Sequence, residues 1–286
     1  MQIQKAPYQK GTIYLVGVPI GNIDDISYRA VKILKKADVI FAEDTRRAKN
    51  LLQNLDITDK HVYAHHEHNE QASAKGVIDL ALSGNDIAFV SDAGMPAIAD
   101  PGFVLGKMAI ENGLNIVPIS GPCAAVMGLV ASGLSTSSFT FIGFLPRSEG
   151  QIIKKLEEYK KVSETVIFYE SPKRIIKTLK ALEKALGDRQ ICLAREITKI
   201  YEEYVRGSVS ECVAELESRD KVLGEFCVIV DKASKEDLVV TDDVIIADIN
   251  KMIAQKETGK TIKNVLSEKY NINKKHVYKL FLELSE

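Results

Sequence analysis

The chain of 286 residues is predicted to fold as an α/β protein with two α/β domains and a small helical segment at its carboxyl end. Over the first 120 residues, short apolar runs alternate with helical patterns, which implies right-handed crossovers and a parallel, doubly wound sheet. Several apolar runs then follow one another without long helices between them, which is typical of a mixed sheet. After a charged stretch, every pattern is helical. We therefore expect domains at residues 1–120, 121–235 and 240–286.

The first domain is predicted from apolar runs of four or five residues and from apolar residues at helical spacing. In 27–36, for example, Ala30, Ile33 and Leu34 fall on one helix face. Along the chain we expect strand 12–16, helix 27–36, strand 39–42, helix 46–55, strand 61–65, helix 77–82, strand 87–90, helix 104–112 and strand 115–119.

The same criteria predict the second domain and the helical segment. A helix rich in small residues, 124–132, opens the second domain. It continues with strand 139–144, helix 151–161, strand 165–169, helix 173–186, strands 191–194 and 201–205, a helix near 213–216 and strand 225–230. The segment that follows has helices at 245–255, 260–270 and 274–284, with a short polar break before the last.

Three loops rich in glycine and proline predict a small-molecule site. The strand 87–90 ends in the loop 91–102, and similar loops, 17–22 and 119–125, follow the first and the fifth strand. Glycine lets the backbone approach a ligand, and proline stiffens the loop. Because open α/β sheets bind ligands outside the carboxyl ends of their strands, we expect these loops to surround one site.

Composition limits the function classes. A net charge of −1 gives no general attraction to nucleic acid, so such a partner must meet a local basic face. No signal-peptide pattern and no apolar run of membrane-spanning length occurs. We expect a soluble, cytoplasmic protein. Its four cysteines show no CxxC pairing and are expected to be reduced core residues: Cys123, Cys192, Cys212 and Cys227.

Common catalytic fingerprints are absent. No G-x-G-x-x-G follows the first strand, and neither a P-loop nor a G-x-S-x-G motif occurs. The only metal-like cluster is 65–68, with Glu70 close by. In an extended segment His66 and His68 point to one face, but two ligands do not make a site. We therefore expect no metal and favour polar residues that face solvent or substrate.

The run AEDTRR at 42–47 lies at the end of the second strand. Asp44 or Thr45 is suited to cap the helix that follows. Arg46 and Arg47 can offer forked donors to phosphate. Capping and function are compatible here, and two arginines at the mouth of the site favour contact with an anionic polymer.

The last two helices, with a short break between them, have the size of a helix-turn-helix unit. From residue 260 onward there are six Lys and three Glu. Lys274, Lys275 and Lys279, near the start of the last helix, are candidates for nucleic-acid contact. A solvated helical cap is the alternative, and the sequence leaves both open.

Motifs follow one another along the chain at 14–26, 42–46 (AEDTR), 66–70 (HEHNE), 91–94 (SDAG), 100–102 (DPG), 120–125 (SGPCAA), 143–146 (GFLP), 169–172 (YESP), 195–199 (REITK) and 224–226 (GEF). This series, between about residue 12 and residue 230, resembles the tetrapyrrole (corrin/porphyrin) methylase superfamily, and within it the bacterial methyltransferases of small-subunit ribosomal RNA. The terminal helices are similar to the helix-turn-helix-like tail often appended in that family. Val18 and Met95 stand where the family pattern has Thr.

The resemblance implies an enzyme that transfers a methyl group from S-adenosylmethionine to a cytidine ribose 2′-hydroxyl in small-subunit (16S) ribosomal RNA. The cofactor would lie in a cleft between the two α/β domains. Asp92 has an alternative role, since its carboxylate can simply brace the loop by accepting backbone N–H bonds. The residues expected around the cofactor are Pro19, Gly21, Asp92, Gly94, Ser120, Gly121, Ala124, Tyr169 and Ala194.

Methyl transfer to a hydroxyl depends on alignment of the two reactants, and a proton acceptor within reach would help. Glu43, Asp44, His66 and Glu170 are candidates that the sequence does not rank securely. The pair Glu43 and Asp44 is favoured because it lies at the crevice beside Arg46. We expect catalytic roles for Glu43, Asp44 and His66, and RNA contacts from Arg46, Arg47, Lys274 and Lys275.

Two other functions share parts of this pattern. A methylase of a small tetrapyrrole or corrin would use the same scaffold, but the basic tail and the runs 42–46 and 66–70 favour the RNA enzyme. A ligand-sensing helix-turn-helix regulator would need no proton acceptor and would be expected to carry a dimer-spaced recognition helix. The expected partners are small-subunit ribosomal RNA within the assembled 30S subunit and a second copy of the chain, with no membrane.

Overall fold

The structure, a computed structural model, describes residues 3–6, 8–66, 70–234, 242–270 and 272–284. The chain divides into two compact units. The larger comprises the described residues of 1–159 and 164–231, and the smaller those of 160–163 and 232–284. The predicted division of the first 235 residues at 120/121 falls inside the larger unit and stays a prediction.

The larger unit begins with the predicted parallel sheet. Its five strands are ordered β3-β2-β4-β1-β5, and every neighbouring pair is parallel, so all five carboxyl ends lie at one edge. This order places the loop after β1 between the loops after β4 and β5. The strands are β1 (Ile13–Val16), β2 (Val39–Ala42), β3 (Val62–Ala64), β4 (Ile87–Val90) and β5 (Ile116–Ile119).

Helices cover both faces of this sheet because the strand residues alternate between two cores. Ile87 and Phe89 pack with one pair of helices, whereas Ala88 and Val90 pack with the other pair. The first pair is α3 (Glu70–Leu82) and α4 (Phe103–Glu111), and the second is α1 (Tyr28–Lys36) and α2 (Thr45–Asn54). The α3 helix begins seven residues before its predicted start, because its first half is built on small residues without an apolar stripe.

A second, mixed sheet follows, as predicted. Its order is β6-β7-β10-β8-β9; β6 and β7 are parallel, and the other pairs are antiparallel. The strands are β6 (Phe139–Phe144), β7 (Thr165–Glu170), β8 (Gln190–Arg195), β9 (Glu203–Ser208) and β10 (Phe226–Val230). The helices of this half are α5 (Ala124–Ser132), α6 (Glu149–Glu157), α7 (Ile175–Leu186) and α8 (Val209–Glu217).

The helix after β5 belongs with the second sheet. Ala125 and Leu129 of α5 pack against Ile167 and Cys227 of that sheet. Three of the four thiols are buried as expected, and burial raises the pKa of Cys212 to about 11. Cys123 is the exception, since it is half-buried and lines a cleft.

The smaller unit is helical, as predicted, and has a core of its own. It contains α9 (Asp242–Ala254), α10 (Gly259–Tyr270) and α11 (Lys274–Glu283). Ile249, Ile262 and Val277, one from each helix, are fully buried together. Across the described ranges of both units, no helix is long and apolar enough to cross a membrane.

Candidate active site

The larger unit contains a cleft of about 470 Å³ at the edges where the strands of both sheets carry their loops. Because β10 runs antiparallel to β7 and β8, its first residues, Phe226 and Cys227, lie beside the last residues of those two strands. Five of the nine residues expected around the cofactor line the cleft: Asp92, Gly94, Ala124, Tyr169 and Ala194.

The other four, Pro19, Gly21, Ser120 and Gly121, lie in the adjoining loops and are not among the lining residues. Their loops are packed against each other through backbone. A Cβ at Gly121 would lie 2.6 Å from Cα of Gly17, so only glycine fits at this contact. The loop after β1 is also paired with the loop after β4, since N–H of residue 18 donates to the Gly94 carbonyl at 2.9 Å. The three predicted loops therefore form one assembly, and direct cofactor contact by these four residues stays a prediction.

Three carboxylates, Glu43, Asp92 and Asp100, line one wall of the cleft. Glu43 Oε2 accepts a hydrogen bond from the Asp92 N–H at 3.3 Å. Burial raises the pKa of Glu43, and the charge of Asp92 adds to this effect. Burial, and then the charge of Glu43, raises the pKa of Asp100 to about 6. This wall can therefore hold and release a proton near neutral pH.

Asp92 lines the cleft and accepts a backbone N–H bond, and cofactor contact by it stays a prediction. Its Oδ1 accepts from the Asp44 N–H at 3.0 Å, which braces the start of α2 against the loop after β4. Its Oδ2 lies 3.4 Å from Nη1 of Arg47, which also lines the cleft.

Asp44 is the N-cap of α2. Its Oδ1 accepts from the Arg46 N–H at 2.8 Å, and its Oδ2 lies 2.7 Å from Nη2 of the same arginine. These hydrogen bonds from Arg46 hold the pKa of Asp44 well below its usual range. Asp44 does not line the cleft, whereas its neighbour Glu43 does. Of the favoured pair, Glu43 thus lines the cleft with a raised pKa and Asp44 caps α2 beside Arg46, and catalytic roles for both stay predictions.

Another part of the cleft lining is aromatic. Tyr169 packs edge-on against Phe141 and Phe144, with ring centroids 4.9 and 5.6 Å away. Its hydroxyl accepts from the Ala125 N–H at 3.0 Å, so the tyrosine binds the first turn of α5. Burial raises the pKa of Tyr169, which keeps its hydroxyl neutral. Phe144 lines the cleft and remains 61% exposed, so it offers a free ring face to a ligand.

The turn after β8 closes part of the cleft. Glu196 and Thr198 have left-handed backbone conformations, with φ of 51° and 69°. Lys199 Nζ lies 2.8 Å from Glu196 Oε1 and 3.0 Å from Glu225 Oε2, which ties this turn to the start of β10. The lysine stem packs over Gly21, because a Cβ there would be well inside contact with its Cγ.

Glu170 is buried, and several donors hold its carboxylate. Its side chain is about 1% exposed, and its Oε2 accepts from the Thr178 hydroxyl at 2.7 Å. Arg174 lies 3.3 Å from the same oxygen, and the Ser171 N–H donates to the other at 2.7 Å. Glu170 also lines the cleft, and its carboxylate, held by these donors, orders the start of α7; a role for it as proton acceptor stays a prediction.

The histidine run follows β3. His65 is fully buried, with its Nδ1 3.0 Å from the Ser73 hydroxyl, and burial lowers its pKa. His66 is half-buried and is not among the residues that line the cleft, so a catalytic role for it stays a prediction. The two other members of the run, 67 and 68, lie outside the described residues. Within the described ranges, no group of three or more potential ligands is placed to hold a metal ion.

The predicted RNA contacts lie in different units. Arg46 is 88% exposed at the start of α2. Lys274 and Lys275 are exposed in the first turn of α11, where Asn273 is the N-cap. They belong to the smaller unit, and RNA contact by them stays a prediction.

The cleft residues that the sequence did not single out as candidates include Asp100, Phe144 and Lys199. All three fall within quoted motifs, so the signal was present. The sequence could not show which residues lie close together in space. A carboxyl that is buried beside two others has a changed proton affinity, and no linear pattern records that proximity.

Solved structures and a family profile define the class of protein. The profile of the tetrapyrrole (corrin/porphyrin) methylases matches residues 12–213. Uroporphyrin-III C-methyltransferase of Thermus thermophilus superposes with a TM-score of 0.53 at 19% identity, covering 78% of this chain and 95% of that one. A cobalt precorrin-4 methyltransferase gives a TM-score of 0.55 at 16% identity, over 77% and 95%. These two likenesses show a common fold.

Curated relatives narrow the class. Proteins named ribosomal RNA small subunit methyltransferase I are 50% identical in Halalkalibacterium halodurans, over 78% of this chain and 76% of the relative, and 42% identical in Streptococcus pyogenes, over 99% and 100%. The protein of that name in Bacillus subtilis is 43% identical over 80% and 77%. The chain belongs to the tetrapyrrole methylases and, within them, to the family of ribosomal RNA small subunit methyltransferase I.

Proposed function

We propose that this protein transfers a methyl group from S-adenosylmethionine to the 2′-hydroxyl of a cytidine ribose in small-subunit (16S) ribosomal RNA. Its relatives carry the name of a small-subunit ribosomal RNA methyltransferase over nearly the whole chain length. The observation that carries the proposal is the cleft, where a half-buried carboxyl of raised pKa, Glu43, faces the same space as Arg47.

The cleft fits the proposed cofactor in size and chemistry. Its volume of about 470 Å³ lies in the range of roughly 300–1,000 Å³ that small-molecule and cofactor sites occupy. Asp92 and Asp100 supply negative charge that suits a cation, and Phe144 and Tyr169 supply apolar surface. Gly94 and Ala124 allow close backbone approach. S-adenosylmethionine, when bound, supplies a methyl group on a positively charged sulfur.

Glu43 is the proton acceptor in this proposal. A carboxyl with a raised pKa is a better base near neutral pH than an ordinary carboxylate. The Asp92 N–H holds its Oε2 in place, and Asp92 in turn is held by Asp44 and Arg47. Alignment of the two reactants can supply about 7–11 kcal/mol of the barrier, and the proton acceptor adds to this. His66 stays a further candidate for this role.

RNA would be bound through its phosphates by Arg46 and Arg47 beside the cleft and by Lys274 and Lys275 in the smaller unit. Arginines offer forked donors to phosphate. Binding that neutralises phosphates weakens as the salt concentration rises, and the more phosphates are neutralised, the steeper this dependence. The exposure of Arg46, Lys274 and Lys275 supports this role. We also propose the assembled 30S subunit as acceptor, a homodimer as the active form and the cytoplasm as its location, all of which the family membership supports.

The experiment is transfer of labelled methyl from S-adenosylmethionine to small ribosomal subunits purified from cells that lack this protein. Nuclease mapping then identifies the labelled nucleoside. We expect 2′-O-methylcytidine, abolished in Glu43→Gln and retained in the surface control Asp220→Asn. Label on a base instead of a ribose would refute the 2′-hydroxyl assignment. Cofactor binding without label in RNA, with label instead in a tetrapyrrole or corrin substrate, would replace the proposal.

A further inference from the structure

The loop between β4 and α4 forms part of the cleft wall under backbone strain. Ala97 and Ala99 have φ of 67° and 62°, the left-handed region that non-glycine residues seldom adopt. Ala99 and its neighbour Asp100 both line the cleft. Strained residues persist where the surrounding structure holds them, and they gather at functional sites. Something must therefore hold this loop in place.

The loop ends at Gly102, the N-cap of α4, and this position excludes the usual capping side chain. Its φ is 133°, and a Cβ there would lie 3.0 Å from the Phe89 ring and 3.3 Å from Cβ of Ala97. Serine, threonine or aspartate would thus be both strained and crowded at this N-cap. The helix accordingly begins without a side-chain cap of its own.

Glu70, the first residue of α3, supplies the cap from another element. Its Oε1 accepts from the Gly102 N–H at 3.0 Å and from the Val104 N–H at 3.4 Å. A carboxylate there satisfies two otherwise orphaned donors and lies at the positive end of the α4 dipole. Glu70 is also the last residue of the run 66–70, and of the two described residues of that run, His66 and Glu70, neither lines the cleft.

We propose that Glu70 is a positioning residue: by capping α4 from α3 it fixes the strained loop 95–102, and with it Asp100, in the wall of the cleft. The catalytic side of this inference rests on the proposed function. The capping of α4 by Glu70 does not rest on the proposed function, because it involves only backbone donors and one carboxylate of this chain.

The test uses the full-length protein with Glu70→Ala and Glu70→Gln. The matched control is Glu111→Ala, which removes an exposed acid from the far end of α4. Amide hydrogen exchange is measured at Gly102 and Val104, S-adenosylmethionine affinity by calorimetry, and kcat and KM by methyl transfer. In Glu70→Ala we expect those amides to exchange about 3- to 30-fold faster, as loss of a cap predicts, and Kd for the cofactor to rise several-fold. The Gln variant keeps an oxygen acceptor and should restore most of both.

Three outcomes overturn the inference. Unchanged exchange at Gly102 and Val104 in Glu70→Ala would show that Glu70 does not protect these two amides. Faster exchange with unaltered Kd, kcat and KM would reduce Glu70 to a stabilising cap. Equal effects in Glu111→Ala would remove its specificity. If wild-type protein binds the cofactor but labels no RNA, the proposed function fails, whereas the exchange and calorimetry measurements still decide the role of Glu70.

Discussion

Replacement of Asp100 by Asn should stabilise this protein at neutral pH and impair its reaction. The pKa of Asp100 rises from its usual 3.8 to about 6 because of burial and the charge of Glu43. Between these two values the folded protein keeps the proton and the unfolded chain releases it. Stability therefore falls as the pH rises through this window, and at pH 7 the ionised Asp100 opposes folding. Asn keeps the shape without the charge.

The magnitude follows from the size of the shift. Two pKa units correspond to an upper bound of about 3 kcal/mol. Asp100 lies at the surface of an open cleft, so solvent screening reduces the expected gain to about 1 kcal/mol. For a folded unit of this size that is roughly 2–4 °C in Tm. The gain should shrink toward pH 4 and vanish well below pH 3.8, where both states hold the proton. Methyl transfer should fall, because a site built for function keeps groups that oppose stability.

Thermal unfolding of Asp100→Asn and wild type, measured from pH 4 to pH 8, checks this reasoning. Asp220→Asn, an exposed aspartate in the same unit, is the matched control and should show no such trend. The expected result is a Tm difference that grows as the pH rises and levels off above about 6. A difference that is constant with pH, or a destabilised variant at pH 7, would refute the electrostatic account of the acidic wall.

Two further predictions concern backbone packing at glycines and a buried hydrogen bond. Gly121→Ala should lower the free energy of unfolding by about 1–3 kcal/mol and weaken cofactor binding, because its Cβ would meet the backbone of Gly17. Gly76→Ala has open space in the middle of α3 and should instead raise the free energy of unfolding by about 0.5–1 kcal/mol. Urea unfolding of both variants checks the contrast. Thr178→Val should cost about 1–3 kcal/mol in urea unfolding by removing a donor from the buried Glu170 carboxylate, and a neutral result would contradict a structural role for that residue.

The local pattern predicted much of the fold. The helix 124–132 and the strand 139–144 were predicted to the residue, because each has an unambiguous run bounded by Gly, Pro or Ser. The first half of α3 was missed, since small residues such as Ala74 carry no periodic signal until a neighbouring helix buries them. The glycine-rich loops were located correctly because their composition already encodes close backbone approach.

The roles within the acidic run were not readable from the sequence. Glu43 and Asp44 are adjacent and chemically alike, yet one enters the cleft and the other caps α2. Which of the two lines the cleft and which caps α2 depends on the direction in which each side chain points at the end of β2.

By itself, the sequence determined the parallel first sheet, the mixed second sheet, the helical tail and the family, because periodicity and ordered motifs are local or linear properties. Only the tertiary structure decided that Asp100 holds its proton to about pH 6 and that Glu70 caps a helix 32 residues away. Proton affinity and capping depend on burial and on distances between segments far apart in the chain, and those exist only after the chain has folded.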